Sequence, residues 1–301
     1  MPDTVIKTEN LTKDYGKGRG IFGIDLDVKH GETFGFIGTN GSGKTTTIRN
    51  IMGFIHPDNG SVTVREMDAW KNATEVKHYV SYIPGEIVFP PHPTGTAFLK
   101  SQADMLDVKD FEYMNRLIRM LQLDPSANLK RMSKGMKQKT AIVAALMGDK
   151  EILVMDEPTT GLDPLMRDVF LELMREEKEK GKTIFMSSQI IDEMEEICDR
   201  VAVINNGRII GILNVWDYRH ESVKNFQIEF ESAEDAEQFR KLWKKPVTND
   251  NDRKVCTVVV RRGSEGELLS VLKQFSIVSL HENHKDLADA FEELYRAEER
   301  R

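Results

Sequence analysis

The run Gly38-Thr39-Asn40-Gly41-Ser42-Gly43-Lys44-Thr45 has the residue types and spacing of a phosphate-cradling loop, and Thr46 continues it into a helix. Its glycines let backbone N–H groups turn inward around a phosphate, and the N-terminus of the following helix adds the positive end of its dipole. Lys44 is placed to reach the last two phosphates of a nucleoside triphosphate, and the Thr45 hydroxyl to ligate Mg2+. A second pair suits the same chemistry. Asp156-Glu157 follows the apolar run Ile152-Leu153-Val154-Met155. Asp156 fits a contact to the magnesium ion, direct or through water, and Glu157 fits the group that polarises the water attacking the γ-phosphate.

These side chains need strands and helices to carry them. Thr33-Phe34-Gly35-Phe36-Ile37 reads as a buried strand feeding the loop, and Ile48, Ile51, Met52 and Ile55 repeat at the spacing of one helix face. Pro57-Asp58-Asn59-Gly60 closes that unit with turn residues. Ile152-Leu153-Val154-Met155 and Thr183-Ile184-Phe185-Met186-Ser187 are apolar on both faces, as central parallel strands are. Ligands of open parallel sheets bind beyond the carboxyl ends of such strands. Residues 86–128 read as an inserted helical subdomain, and Met136, Thr140, Val143, Ala144 and Met147 as another helix face. Residues 201–210, broken at Asn205-Asn206-Gly207, read as a hairpin. Composition shifts near residues 216–221. Beyond that point Phe226, Ile228 and Phe230, then residues 255–260, predict strands; Leu268, Leu269 and Leu272, then Leu287, Ala290, Phe291, Leu294 and Tyr295, predict helices. We therefore expect a nucleotide-binding domain at residues 1–215 and a small α+β accessory domain at residues 222–301.

With 301 residues, 30% charged and 40% hydrophobic, the chain has room for one full α/β domain and a smaller one. A net charge of -7 argues against nucleic acid as a partner. The sequence opens with neither a basic nor an apolar segment, so no secretion signal is expected. The apolar run at residues 141–147 is too short to span a bilayer, so any link to a membrane passes through a partner. Cys198 and Cys256 read as reduced, buried thiols of a cytosolic protein. His281 and His284 read as surface residues, because nothing nearby completes a metal site.

Between the two halves of the phosphate chemistry lies Met132-Ser133-Lys134-Gly135-Met136-Lys137-Gln138, and the second half continues as Pro158-Thr159-Thr160-Gly161-Leu162-Asp163-Pro164. In this order the motifs resemble those of an ABC transporter ATP-binding subunit, over about residues 4–211. Tyr82-Ile83-Pro84-Gly85-Glu86, together with the Ser133 segment, is most similar to exporters of the drug, bacteriocin-peptide and sodium-extrusion type, whose ATP subunits pair with a separate membrane permease. The resemblance implies the α/β fold of P-loop NTPases: a RecA-like parallel sheet core, an antiparallel β subdomain and a helical subdomain, here followed by a small C-terminal α+β domain. It implies an ATPase, with ATP and Mg2+ as cofactors, driving export from a cytoplasmic position on the inner face of the cell membrane. It also implies a head-to-tail dimer of two copies. In that dimer Ser133, Gly135 and their helix N-terminus reach the γ-phosphate held by the other copy's Lys44, and Asp163 reaches across the interface. Tyr15 matches the aromatic that stacks on adenine. Phe89-Pro90-Pro91-His92-Pro93-Thr94, read as an exposed aromatic flanked by prolines, falls where the permease docks.

Two positions depart from the family pattern. A glutamine usually follows the tyrosine-leucine-proline segment; here Gly85 stands there, followed by Glu86, a candidate for the missing magnesium or water contact. A histidine usually follows Ser187-Ser188; here it is Gln189, which can donate to a phosphate oxygen but cannot carry a proton. These departures keep open a second reading, a nucleotide-dependent regulatory or binding module with weak hydrolysis, which intact Lys44, Thr45, Asp156 and Glu157 oppose. A third, a soluble ABC protein of ribosomes or DNA repair, lacks support, since the chain has neither a second nucleotide domain nor a long coiled-coil insertion.

Overall fold

In the computed structural model the described residues are 3–219, 223–243, 245–249, 253–261, 263–283 and 287–300. His281 is exposed, and His284 lies outside the described residues. The chain divides into two compact units, Met1–Val215 together with Phe291–Arg301, and Trp216–Ala290.

In the first unit, β1 (Thr4–Asp14) and β2 (Gly20–Lys29) pair antiparallel. β3 (Thr33–Ile37) then runs into the glycine loop and α1 (Lys44–Ile51). β4 (Asn59–Val64) and β5 (Met67–Asp68) complete an antiparallel sheet in the order β2-β1-β4-β5. Helix α1 is shorter than its apolar spacing predicts: Ile48, Ile51 and Met52 are buried, but Ile55 lies beyond the helix. Gly53, at φ 62°, ends it, and a Cβ there would meet the Ala69 carbonyl oxygen at 2.1 Å.

After α2 (Ala73–Tyr79) and β6 (Val80–Ile83) comes a helical segment of α3 (Gly95–Met105), α4 (Glu112–Met120) and α5 (Lys134–Leu146). The chain then alternates β7 (Ile152–Asp156), α6 (Pro164–Glu179), β8 (Thr183–Ser188) and α7 (Ile191–Ile197). It closes with the hairpin β9 (Arg200–Asn205) and β10 (Arg208–Asn214); α8 (Val215–Arg219) then begins at the last residue of this stretch and runs into the second unit. The core sheet has the order β10-β9-β3-β8-β7-β6 and is parallel except for β10. Every residue of β3, β7 and β8 is buried, as strands covered on both faces must be. Phe34 and Phe36 pack on Phe185 with ring centroids 5.9 and 5.6 Å apart. Burying a phenylalanine side chain of this kind contributes about 1.5–3 kcal/mol.

The second unit holds β11 (Val223–Phe230), α9 (Ala233–Leu242), β12 (Val247–Asn249), β13 (Val255–Arg261), α10 (Glu265–Leu272) and β14 (Ile277–Asn283). The antiparallel order β12-β13-β11-β14 is that of a ferredoxin-like βαββαβ unit. Phe226, Ile228 and Phe230 alternate inward with Cys256, Val258 and Val260, against Phe239, Leu268 and Leu272 of the helices. The last helix, α11 (Leu287–Glu299), departs from the predicted grouping, because from Phe291 onward it belongs to the first unit. There Tyr295 Oη donates to the Ile204 carbonyl oxygen at 3.3 Å, and a Cβ at Gly211 would lie 2.7 Å from Leu294. Among the described residues no helix is long and apolar enough to cross a membrane.

Candidate active site

Strand order decides which residues meet. β8 lies between β3 and β7, with Ile37 opposite Ser188 and Asp156 opposite Ser187. The carboxyl ends of three adjacent parallel strands therefore carry the glycine loop, Asp156-Glu157 and Ser188-Gln189 side by side, at the edge where open sheets bind ligands.

The loop's backbone takes shapes that require glycine. Gly41 and Gly43 have φ 79° and 116°, and a Cβ on Gly43 would lie 2.7 Å from Ile21. A Cβ on Gly38 would meet the Ile204 carbonyl oxygen at 2.4 Å. Lys44 is buried, and its Nζ donates to the carbonyl oxygens of Gly38 at 2.7 Å and Thr39 at 3.0 Å. Ser42 Oγ is buried inside the loop without a hydrogen-bond partner among the described residues. A cleft of about 380 Å³ opens over the loop, lined among others by Tyr15, Arg19, Lys44, Thr45, Glu157 and Asn206. Tyr15 is half exposed at its mouth, as a ring awaiting a planar partner would be. A glycine cradle, a buried cation and an unpartnered hydroxyl form a donor set suited to a polyphosphate.

Asp156 is fully buried and doubly held. It accepts from Thr45 Oγ1 at 2.7 Å across 111 residues of chain, and from Ser187 Oγ at 2.7 Å. Burial, with the Asp156 carboxylate adding to it, pushes the nearby Tyr82 phenol up to about 12. A hydroxyl beside a carboxylate is an all-oxygen pair of the kind magnesium takes, with waters filling the other positions. Glu157 sits in the left-handed region at φ 48°, and its N–H donates to Ser187 Oγ at 3.0 Å. For a residue with a side chain that conformation is strained, and such strain clusters at functional sites. The Glu157 carboxylate is held at both oxygens: Oε1 faces Lys44 Nζ at 3.3 Å and accepts from Gln189 Nε2 at 2.8 Å, while Oε2 accepts from Thr160 Oγ1 at 3.3 Å. Gln189 Nε2 also donates to Asn40 Oδ1 at 2.9 Å, so the switch position touches the phosphate loop directly.

The structure separates the two residues at the other departure. Gly85 faces the site: a Cβ there would lie 3.0 Å from Asp156 Oδ2. Glu86 is exposed and makes no hydrogen bond or ion pair among the described residues. Phe89 is half-buried rather than exposed. Its ring packs on Phe98 of α3 at 4.7 Å; the exposed apolar side chain of the segment is Val88, 81% accessible.

Ser133, Gly135 and Asp163 do not line the Lys44 cleft. Ser133 caps α5, its Oγ accepting from Met136 N at 3.2 Å, and Asp163 caps α6, accepting from Met166 N at 3.0 Å. The first turn of α5 approaches the segment before α6, since a Cβ on Gly135 would lie 2.8 Å from the Gly161 carbonyl oxygen. Lys134 lays its side-chain stem over Gly161. Ser187 and Thr160 carry functional contacts that sequence reasoning missed, because serine and threonine beside a carboxylate give no spacing signal. In the sequence Asn206 signals only a turn. Its turn is stapled to the phosphate loop by Gly207 N–H donating to the Ser42 carbonyl oxygen at 2.8 Å.

Residues 21–160 match the sequence family described as ABC transporter. The linearmycin resistance ATP-binding protein LnrL of Bacillus subtilis (strain 168) is 36% identical over 213 residues, covering 69% of this chain and 68% of that protein. The bacitracin transport ATP-binding protein BcrA of Bacillus licheniformis is 34% identical over 213 residues, covering 69% of each. The solved structure of an ATP binding subunit of an ABC transporter is 31% identical with a TM-score of 0.65, covering 72% of this chain and 92% of that one.

Proposed function

Since the chain belongs to the family of ABC transporter ATP-binding subunits, which are P-loop ATPases, we propose that it drives export through a separate membrane permease. Two copies pair head to tail, on the inner face of the cell membrane. The single observation that carries the hydrolytic reading is the Glu157 carboxylate, suspended between Lys44 and Gln189 beside the Thr45–Asp156 pair. The names of LnrL and BcrA, a resistance protein and a transport protein, support export as the direction.

In this reading Tyr15 stacks on the adenine, and the backbone N–H groups of the Gly38–Thr46 loop surround the β-phosphate. Lys44 turns from the loop carbonyls to the β- and γ-phosphates. Thr45 and Asp156 would hold Mg2+, which when bound would draw charge from the phosphate oxygens. Glu157 accepts a hydrogen bond from a water, which then attacks the γ-phosphorus; the bond to the β–γ bridging oxygen breaks, ADP and phosphate leave, and the water's proton passes to the carboxylate. Gln189 steadies both Glu157 and the loop. Ser133 and Gly135 of the second copy, with the N-terminus of α5, close over the γ-phosphate, and Asp163 contacts the facing subunit. The permease docks along residues 87–92, where a cleft of about 290 Å³ is bounded by Leu129, Lys130 and Lys137.

A second reading rests on Gln189. It cannot accept a proton, and it holds Glu157 toward Lys44, which favours a slow hydrolase whose main output is nucleotide-dependent binding. Phosphate release measured with and without Mg2+, beside Glu157→Gln, decides between them. The first reading expects steady turnover that the variant loses; parent turnover at or below that of the variant supports the second.

A further inference from the structure

Glu193, on α7, is 1% exposed, and none of the chemistry above uses it. Its Oε2 accepts hydrogen bonds from two hydroxyls, Thr159 Oγ1 in the segment after β7 at 3.0 Å and Ser188 Oγ at the end of β8 at 2.8 Å. Its Oε1 faces the Arg167 guanidinium of α6 at 3.2 Å. Ser188 Oγ in turn accepts from Ile190 N–H at 3.0 Å, so the turn that presents Gln189 is closed by the hydroxyl that Glu193 holds. Thr159 lies in the segment between Glu157 and Asp163, next to Pro158, whose carbonyl oxygen accepts from the buried Gln138 of α5 at 2.6 Å. One carboxylate oxygen thus fastens the segment bearing Gln189 to the segment bearing Glu157 and Asp163.

A buried carboxylate is a costly way to fill space. Burial pushes the Glu193 carboxyl up, with Asp192 adding to the rise, while Ser188, Thr159 and Arg167 act against it. An apolar side chain of the same volume would pack there at lower cost, so a carboxylate at this point is better explained by the groups it holds in register. We infer that Glu193 is a positioning residue of the hydrolytic centre, setting Gln189 against Glu157 without itself touching nucleotide. The inference rests on Glu157 as the water-activating carboxylate, and its test separates the two.

The experiment is steady-state ATPase kinetics on the full chain for the parent, Glu193→Ala, Glu193→Gln, Ser188→Ala, Gln189→Ala, the Glu193→Ala/Gln189→Ala double variant and Glu157→Gln. Misplacing a catalytic group by about 1 Å costs about a hundredfold, so kcat should fall about tenfold to a hundredfold in Glu193→Ala. KM for ATP should move by less than about twofold, because Lys44 and Tyr15 are held by other contacts. Glu193→Gln keeps an acceptor oxygen for both hydroxyls and should recover most of kcat. If Glu193 acts through Gln189, the double variant should be no slower than the slower single, the non-additivity expected of residues in one network. Additive losses, or parent kcat in Glu193→Ala while Glu157→Gln is inactive, overturn the inference alone. Parent kcat in Glu157→Gln removes the reading beneath it. Should Glu193→Ala not fold, Ser188→Ala removes the shared hydroxyl with little change in volume, and parent kcat there overturns the inference as well.

Discussion

Gln189 Nε2 stands 2.8 Å from Glu157 Oε1 and 2.9 Å from Asn40 Oδ1, so its two amide hydrogens are divided between the carboxylate and the phosphate loop. A neutral imidazole has one N–H and cannot hold both acceptors; an imidazolium has two and can. Gln189→His should therefore make ATPase activity depend on pH in a way the parent's does not. The carboxylate raises the pKa of the imidazolium it partners. Its hold on Glu157 is then complete below the ordinary histidine value of about 6.5 and is lost as pH rises through the raised value. Above that point the carboxylate loses the contact that positions it, and turnover should fall about tenfold below the parent's, equal to about 1.4 kcal/mol of barrier. A pH profile parallel to the parent's would show that this contact does not limit the rate.

Lys44→Ala removes the buried cation of the glycine loop and leaves Glu157 without its ion-pair partner. Hydrogen bonds to charged groups contribute about 1.5–3 kcal/mol each, so nucleotide affinity should fall at least about tenfold, read by titration calorimetry with ATP. Unchanged affinity would remove the loop from the binding site.

Glu157→Gln keeps the side chain's shape and its acceptor oxygen but cannot take a proton. ATP should remain bound while turnover falls by about 10²–10⁴-fold, the range of general-base contributions. Size-exclusion chromatography with ATP should then show a stable dimer; hydrolysis at the parent rate excludes Glu157 as the base.

Glu86→Ala should change Mg2+-dependent ATP binding and stability by no more than about 0.5 kcal/mol, the usual scale for exposed positions. The side chain is exposed, and it is Gly85 that faces Asp156. A large loss of Mg2+ dependence in this variant would restore Glu86 to the metal site.

The helical segment is tied to the core by α4. Tyr113 Oη donates to buried Glu177 at 2.5 Å, and Arg116 donates to Glu176 through both terminal guanidinium nitrogens. Burial acts to raise the Glu177 carboxyl, but hydrogen bonds from Lys180, Lys182 and Tyr113 outweigh it and leave it below its ordinary 4.5. Glu176 is lowered from the same value, chiefly by the Arg116 hydrogen bond. Groups depressed in the folded state stabilise fully above the unfolded value and lose that contribution as pH falls through the folded one. Thermal stability should therefore drop as pH falls below about 4.5, and less steeply in Glu176→Gln. Tyr113→Phe removes a donor from a buried carboxylate and should cost about 1–3 kcal/mol in denaturant unfolding.

Much of the site was legible because its chemistry is local. A phosphate loop must be continuous, since consecutive N–H groups form the cradle, so its residues stand together in the sequence with their glycines at fixed offsets. The strands beneath it were equally plain, because burial on both faces leaves an unbroken apolar run in β3, β7 and β8. The Phe89 segment differs for the complementary reason: a proline cluster announces a turn but carries no information about which way the ring beside it points.

By itself, then, the sequence determined a nucleotide-binding α/β chain with its loop, its carboxylate pair and its two departures at Gly85 and Gln189. Only the tertiary structure decided how those pieces meet. Thr45 touches Asp156 across 111 residues because β8 is inserted between β3 and β7, a strand order that no local pattern encodes. Gly85 rather than Glu86 faces the carboxylate because of how the chain turns after β6 ends at Ile83, a bend that no periodic pattern encodes. The buried Glu193 tie, and the return of α11 to the first unit beyond Phe291, are likewise contacts between segments distant in sequence. Their partners are chosen by packing, and periodicity and composition record only that a face is buried, not what buries it.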